Sequence, residues 1–373
     1  MLPSAPQSAR SITGVASDIL ASVSGGAAAL ASVRSAVLVV IDGLGALQLR
    51  AHAGHARRLT ADMAKKDVAH SVFPSTTATA LTSLLTGVDP GLHGLVGYSV
   101  LDRAGDRLVN QLSGWESSGL DPLEWQSAPT VFETARRAGH PTFAVGLPAY
   151  ATSGFTQATL RGADFVVGHS PRERVQKALQ LAAENDGAIV YCYLPEVDKA
   201  GHKHGVDSPA WVRALEEIDA AFAEPVPPGV GVLVTADHGM VDVPAHRHLV
   251  FGMDDHMLDG VRHVGGEPRM LHVYLEPDAS HEHILETWRR ATEGAADVLS
   301  RQEAVSAGLF GAITSDAVAQ RVGDLVVPAR GLWALYDGVN GDRRAQSMIG
   351  QHGSLTPEER LVPYLRFGAY AGR

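Results

Sequence analysis

The chain has one cysteine, Cys192, among 373 residues. A single thiol excludes an intrachain disulfide and any metal cage built from cysteines. No apolar run approaches the roughly 20 residues a membrane-spanning helix needs. The best candidate, Ala36 to Ile41, is strand-sized. The N-terminus shows no basic region leading into an apolar stretch, so no secretory signal is read and a cytoplasmic setting is expected. There is no basic excess either: the formal net charge is −10, which argues against general nucleic-acid binding. Internal repeats and low-complexity blocks are missing too. What is present is 45% hydrophobic residues, enough for a large core and too many for a disordered chain. The length suits one large α/β enzyme or two modest domains. Histidine, at 17 residues, exceeds ordinary usage and directs attention to metal chemistry.

Residues 1–34 are small and polar, with Ile12, Val15, Ile19, Leu20 and Val23 at helical spacing. The period predicts an N-terminal helical segment, a short surface helix closed by a Gly25-Gly26 turn. From Ala36 a continuous apolar run reaches Ile41 and stops at Asp42-Gly43. Such a run fits a parallel strand covered on both faces. Similar runs at Phe143–Val145, Ala188–Tyr193 and Val230–Thr235 alternate with helical patterns over Thr130–Ala138, Arg172–Asn185 and Trp211–Phe222. The alternation predicts an α/β fold with a doubly wound, mostly parallel central sheet. Residues 35–243 and 337–373 are assigned to this core. Residues 244–336 differ in texture, with a strand-like Met270–Leu275, a helix over His281–Thr292 and an apolar Leu325–Val327. They read as an inserted cap subdomain. The cap is expected to help select substrate and to supply no metal ligand.

In open α/β sheets ligands sit at the carboxyl ends of strands, so the residues just after each run matter most. Asp42 follows the first run, Asp198 and His202 the third, and Asp237 and His238 the fourth; His352 lies near the C-terminus. Carboxylate and imidazole together suit zinc, and also manganese or iron. Six such side chains suffice for two metals with three protein ligands each, leaving positions open for substrate. Taken singly, each has an ordinary explanation. An Asp after a strand is usually a helix cap. Asp237-His238 alone would be a turn, and His202 alone a surface residue. Asp198 and His202, however, are four apart and share one helical face. The joint pattern carries the metal reading. His204, His246, His248 and His263 have no such partners and are assigned to solvent or structure.

A nucleophile is sought in Phe73-Pro-Ser-Thr-Thr77, which opens a helix-like segment running to Gly87. A hydroxyl at a helix start is normally a cap. Beside metals the same place favours an anion, through the helix dipole and free N–H groups. A metal also lowers the pKa of an oxygen bound to it. Residue type alone does not choose among Ser75, Thr76, Thr77 and Thr79.

Taken in order, these pieces resemble the alkaline phosphatase superfamily, and within it the type I phosphodiesterase/nucleotide pyrophosphatase family. The matching motifs are Val40-Ile-Asp-Gly-Leu44, Phe73-Pro-Ser-Thr-Thr77, Thr86-Gly87, His93-Gly94, Asp198-Lys-Ala-Gly-His202, Asp237-His-Gly-Met240 and Gln351-His-Gly353. The resemblance implies a metal-dependent hydrolase of phosphodiester or nucleotide pyrophosphate bonds. It implies Thr77 as nucleophile and two divalent ions, most often zinc. One ion would take Asp198, His202 and His352. The other would take Asp42, Asp237 and His238, with the Thr77 oxygen. In-line attack on phosphorus and a phosphothreonine intermediate complete the implied mechanism.

Two other activities fit the same scaffold, phosphonate hydrolysis and phosphomonoester hydrolysis. A diesterase needs an apolar pocket for the second ester group, and Tyr98, Tyr150, Phe155 and Trp115 are candidates. A monoesterase needs extra cations, and Lys199, Lys203 and Arg269 are candidates. A non-catalytic metal-binding protein would have lost the nucleophile or a ligand, and this chain keeps them all. A sulfatase would need Cys192 in a motif that its strand context lacks. The expected partner is a small-molecule phosphate ester.

Overall fold

The run after Arg34 forms the strand Ser35–Ile41, buried along its whole length. Its β-branched side chains leave no polar face for water, so the strand must sit inside a sheet covered on both sides. It pairs in parallel with Ile189–Leu194 on one side and Val230–Thr235 on the other. The computed structural model describes residues 9–26, 29–253, 255–341 and 343–371. Its main sheet has seven strands, in the order Val68–His70, Leu361–Gly368, Val230–Thr235, Ser35–Ile41, Ile189–Leu194, Thr142–Gly146 and Asp164–Val167. Leu361–Gly368 runs antiparallel to its neighbour Val230–Thr235, and the strands from Val230 to Val167 in that order are parallel. This is the mostly parallel α/β sheet that the sequence pattern predicts.

The helices Val15–Ser24, Pro171–Glu184 and Pro209–Ala221 contribute to one apolar cluster with this sheet. The N-terminal helix differs from expectation. Its stripe of Ile12, Val15 and Ile19 is fully buried, so it is a wall of the core and not a surface appendage. The Ser22 hydroxyl seals it to the Tyr370 hydroxyl at 2.6 Å. Residues 1–8 and 27–28 of the expected N-terminal segment lie outside the described residues. Among the described residues no helix is long and apolar enough to cross a membrane.

A second, antiparallel sheet has the order Val261–Glu267, Met270–Leu275, Leu325–Pro328 and Leu299–Ser300. Met270–Leu275 is buried on both faces, which explains its unbroken apolar run. Leu271, Val273 and Leu275 pack on Ile284 and Trp288 of the helix His281–Ala291. Met270 packs instead with Phe73, Val96 and Phe310. The second sheet is thus held between its own helix and the segment leading to Thr77.

The hairpin turn of this sheet carries Arg269, which is fully buried. Its guanidinium donates to both oxygens of Glu359, at 2.7 and 2.8 Å. Glu359 also accepts from the Ser354 backbone at 2.9 Å and the Thr356 hydroxyl at 2.7 Å. The Ser354 hydroxyl donates to the Ala329 carbonyl, and the Ser75 hydroxyl to the Ser354 carbonyl. The loop after His352 is therefore stitched to the second sheet on one side and to the turn before Thr77 on the other.

Burial alone would raise the Glu359 pKa, but Arg269 and the hydroxyl and N–H donors hold it below the usual range. A depressed native pKa supplies stability that is present above the ordinary value and lost as pH falls through the native one. Replacing Arg269 by Ala strands a buried carboxylate, a change that costs about 3–5 kcal/mol. Urea unfolding at neutral pH is expected to show a loss of that order, shrinking as the pH is lowered below the ordinary glutamate range.

Candidate active site

The site stands at the carboxyl ends of three adjacent strands. Asp42 follows Ile41, and its backbone N–H donates to Leu194 O at 3.0 Å, tying two strand ends together. The chain then turns at Gly43, with φ 70°. A Cβ on Gly43 would lie 2.9 Å from Asp198 Cβ, so only glycine lets the helix Glu196–His204 come this close. That helix places Asp198 and His202 one turn apart on one face. Asp237 and His238 follow the strand Val230–Thr235. The Gly43 and His238 N–H groups both donate to Asp237 Oδ1, at 3.3 and 3.0 Å, which leaves Oδ2 free. The Tyr193 hydroxyl donates to Asp42 Oδ2, leaving Oδ1 free.

The three histidines share one arrangement. His238 Nδ1 lies 3.1 Å from Gly239 O, His202 Nδ1 2.8 Å from Gly350 O, and His352 Nδ1 3.0 Å from Ser75 O. A carbonyl oxygen only accepts, so each Nδ1 carries the proton and each Nε2 presents a lone pair. Those lone pairs converge. His202 Nε2 and His352 Nε2 are 3.2 Å apart. His238 Nε2 is 3.5 Å from Asp42 Oδ1 and 3.4 Å from Asp237 Oδ2. Asp198 Oδ1 is 3.4 Å from His202 Nε2 and 3.9 Å from His352 Nε2. Asp42 Oδ1, Asp198 Oδ1 and Asp237 Oδ2 are buried with no hydrogen-bond partner.

Acceptors thus face acceptors, an arrangement that repels unless cations stand between them. Ligand atoms of Asp42, Asp237 and His238 lie within 4.8 Å of one another, as do those of Asp198, His238 and His352. His202 extends the second group. The six side chains singled out by sequence all meet here, and the donor set fits two divalent ions. His238 stands with Asp42 and Asp237, as expected, and its ligand atom also lies within 4.8 Å of those of Asp198 and His352, its ring stacked on His352 at 3.7 Å.

The electrostatics point the same way. Burial pushes the Asp42 carboxyl well up, and the charges of Asp198 and Asp237 add to it. Burial also raises Asp237. Burial, with His238 and His202 beside it, pushes His352 well down. Bound dications reverse this balance, favouring ionised carboxylates and neutral imidazoles.

Thr77 is the first residue of the helix Thr77–Thr86, whose N-cap Thr76 makes no side-chain cap bond. The N–H groups of its first turn have no intrahelical acceptor and are available to an anion. The Thr77 hydroxyl lies 3.1 Å from His238 Nε2. Of the other hydroxyls, Ser75 is committed to Ser354 O, and Thr79 is buried and does not line the cavity. Thr76 lines the cavity but makes no bond to a ligand.

A cavity of about 940 Å³ opens over the cluster. Tyr98, Tyr150, Phe155 and Phe165 form much of its wall, and Glu267 and Tyr336 line it as well. Tyr193 also faces it, at the end of a buried strand run that gave no hint of this role. Among the described lining residues Lys199 is the single Lys or Arg, its ammonium 5.5 Å over the Tyr150 ring. Three expectations are corrected. Trp115 is buried behind the wall, against Gly154, and does not face the cavity. Arg269 is consumed by Glu359, and Lys203 is absent from the lining. Arg269 and Lys199 looked alike in sequence because their partners, Glu359 and Tyr150, are far away in the chain.

Comparison with known proteins follows the same line. The family described as type I phosphodiesterase / nucleotide pyrophosphatase matches residues 36–355. An uncharacterized pyrophosphatase/phosphodiesterase of Schizosaccharomyces pombe is 25% identical over 195 residues, covering 47% of this chain and 38% of that protein. The chain therefore spans about two fifths of the length of that curated relative. Among solved structures, murine ectonucleotide pyrophosphatase / phosphodiesterase 5 is similar, with TM-score 0.68 and 19% identity over 90% of this chain and 88% of that one. It has also been solved as an inactive threonine-to-alanine variant in complex with AMP. Phosphonoacetate hydrolase of Sinorhizobium meliloti is similar too, with TM-score 0.69 and 20% identity over 90% of this chain and 91% of that one. At these identities the structures speak for the fold, whereas the family match covers most of the sequence and every motif of the site. The chain belongs to the type I phosphodiesterase / nucleotide pyrophosphatase family.

Proposed function

We propose that this chain hydrolyses phosphodiesters, nucleotide pyrophosphates among them, with Thr77 as nucleophile. One observation carries the reading: three imidazole lone pairs and three unpartnered carboxylate oxygens converge beside a threonine at an uncapped helix start. Asp42, Asp198, His202, Asp237, His238 and His352 would hold two divalent ions, zinc first among the candidates. When bound, such ions neutralise phosphoryl charge and lower the pKa of oxygens attached to them. The Thr77 oxygen attacks phosphorus in line, the bond to the leaving oxygen breaks, and phosphothreonine forms. Water then cleaves the phosphothreonine and frees the threonine. The first-turn N–H groups hold the non-bridging oxygens, where positioning and charge neutralisation do most of the work.

The cavity wall favours a diester over a monoester. A monoester presents more negative charge and calls for several cations, and among the described residues of this wall Lys199 is the one Lys or Arg. Its aromatic surface instead suits an apolar or planar second ester group. Residues 244–336 act as a cap that shapes this pocket through Glu267 and Tyr336 and gives no ligand to the ions. Lys199 also offers a counter-charge for a carboxylate, which keeps a phosphonate carboxylate as the second reading, in line with the likeness to phosphonoacetate hydrolase.

Three outcomes are expected. Elemental analysis of purified protein should find about two divalent ions per chain. Thr77→Ala should retain them while losing at least about 10³-fold in kcat, as removal of a nucleophile does. Activity near wild type in Thr77→Ala would reject the nucleophile. In a substrate panel, bis-p-nitrophenyl phosphate should exceed p-nitrophenyl phosphate in kcat/KM by about tenfold or more, a difference of roughly 1.4 kcal/mol. Preference for the monoester, or for phosphonoacetate, would move the assignment to that class.

A further inference from the structure

Asp42 differs from the other two carboxylates in how it is held. Asp237 has its second oxygen fixed by two backbone N–H groups. The second oxygen of Asp42 is held by the hydroxyl of Tyr193. That bond leaves Oδ1 as the oxygen turned toward His238 Nε2, at 3.5 Å, with no protein partner of its own. The tyrosine ring does not depend on the bond for its place. It stacks on Tyr191 with centroids 6.2 Å apart and meets Tyr150 edge-on at 5.8 Å. Its strand is paired with the strand ending at Asp42, in a register that sets Tyr193 opposite Val40. A rigid ring thus presents a donor to a carboxylate that would otherwise rotate freely about its last torsion.

We propose that Tyr193 is a positioning residue that fixes the Asp42 carboxylate with Oδ1 aimed at the metal pair, and so sets the affinity for one of the two ions. The inference rests on the two-ion reading above. Partners of this kind commonly tune metal affinity by about 10–100-fold. Tyr193 also lines the cavity, so the group that orients the ligand stands where the ester must enter.

The test uses metal-free full-length protein titrated with Co²⁺, followed by its visible absorption, and with Zn²⁺ in competition with a chromophoric chelator. Tyr193→Phe is expected to bind one of the two ions at least about tenfold more weakly and to shift the cobalt bands. Tyr191→Phe removes a neighbouring hydroxyl that makes no hydrogen bond to a carboxylate, and it should bind both ions as wild type does. Melting of each metal-free protein reports folding separately, so a variant that melts early is replaced by Tyr193→Leu, which removes the hydroxyl without adding bulk or a new donor. Wild-type affinities and spectrum in the folded Tyr193 variants would overturn the proposal. Wild-type protein that binds no divalent ion would sink the two-ion reading itself.

Discussion

Three carboxylate oxygens without a hydrogen-bond partner and three imidazole lone pairs meet in one pocket, with the Thr77 hydroxyl 3.1 Å from His238 Nε2. The fold is arranged around that conflict. Taking an ion out of water costs several kcal/mol, and like charges held together cost more. A chain tolerates such a cluster only where the surrounding structure fixes it. Here three adjacent strands end together, Gly43 admits the Asp198 helix, and each histidine spends its Nδ1 proton on a backbone carbonyl. The result is a set of candidate metal ligands whose orientation the protein itself fixes. Pre-set geometry of this kind is what phosphoryl transfer asks of a protein.

The remaining parts hold the one candidate ligand that does not follow a strand of the main sheet. His352 sits on a loop, and a loop is the least certain way to place a ligand. Its Nδ1 is tied to Ser75 O, two residues before Thr77. Beyond it, Ser354 and Glu359 are locked to Arg269 and Ala329 of the second sheet. The second sheet and the segments around it therefore do two jobs in one contact region. They wall the cavity and they steady the loop that brings in His352.

Much of this was legible in the sequence, for definable reasons. Parallel strands buried on both faces read as unbroken apolar runs, so Ala36–Ile41, Ala188–Tyr193 and Val230–Thr235 were each placed close to the observed strands. Met270–Leu275 read the same way because it too has two buried faces. Polar residues just after those runs marked Asp42, Asp198, Asp237 and their histidines. His352 has no strand of the main sheet before it, so only the ordered motifs pointed to it. Tertiary partners were invisible. Arg269 looked like a cavity cation because Glu359, ninety residues on, does not announce itself in sequence. Trp115 looked like a pocket residue because an aromatic does not show which side of a wall it faces. The first helix looked superficial because its short polar residues hid a stripe that the core needs.

Diffraction from crystals soaked in zinc, collected on both sides of the zinc absorption edge, tests the central claim most directly. The account predicts two anomalous peaks per chain in the pocket. Asp42, Asp237 and His238 should surround one, and Asp198, His202 and His352 the other, with ligand atoms about 2.0–2.2 Å from the ions. A single peak, or two peaks that leave any of these six side chains more than about 3 Å away, a distance beyond bonding, would contradict it.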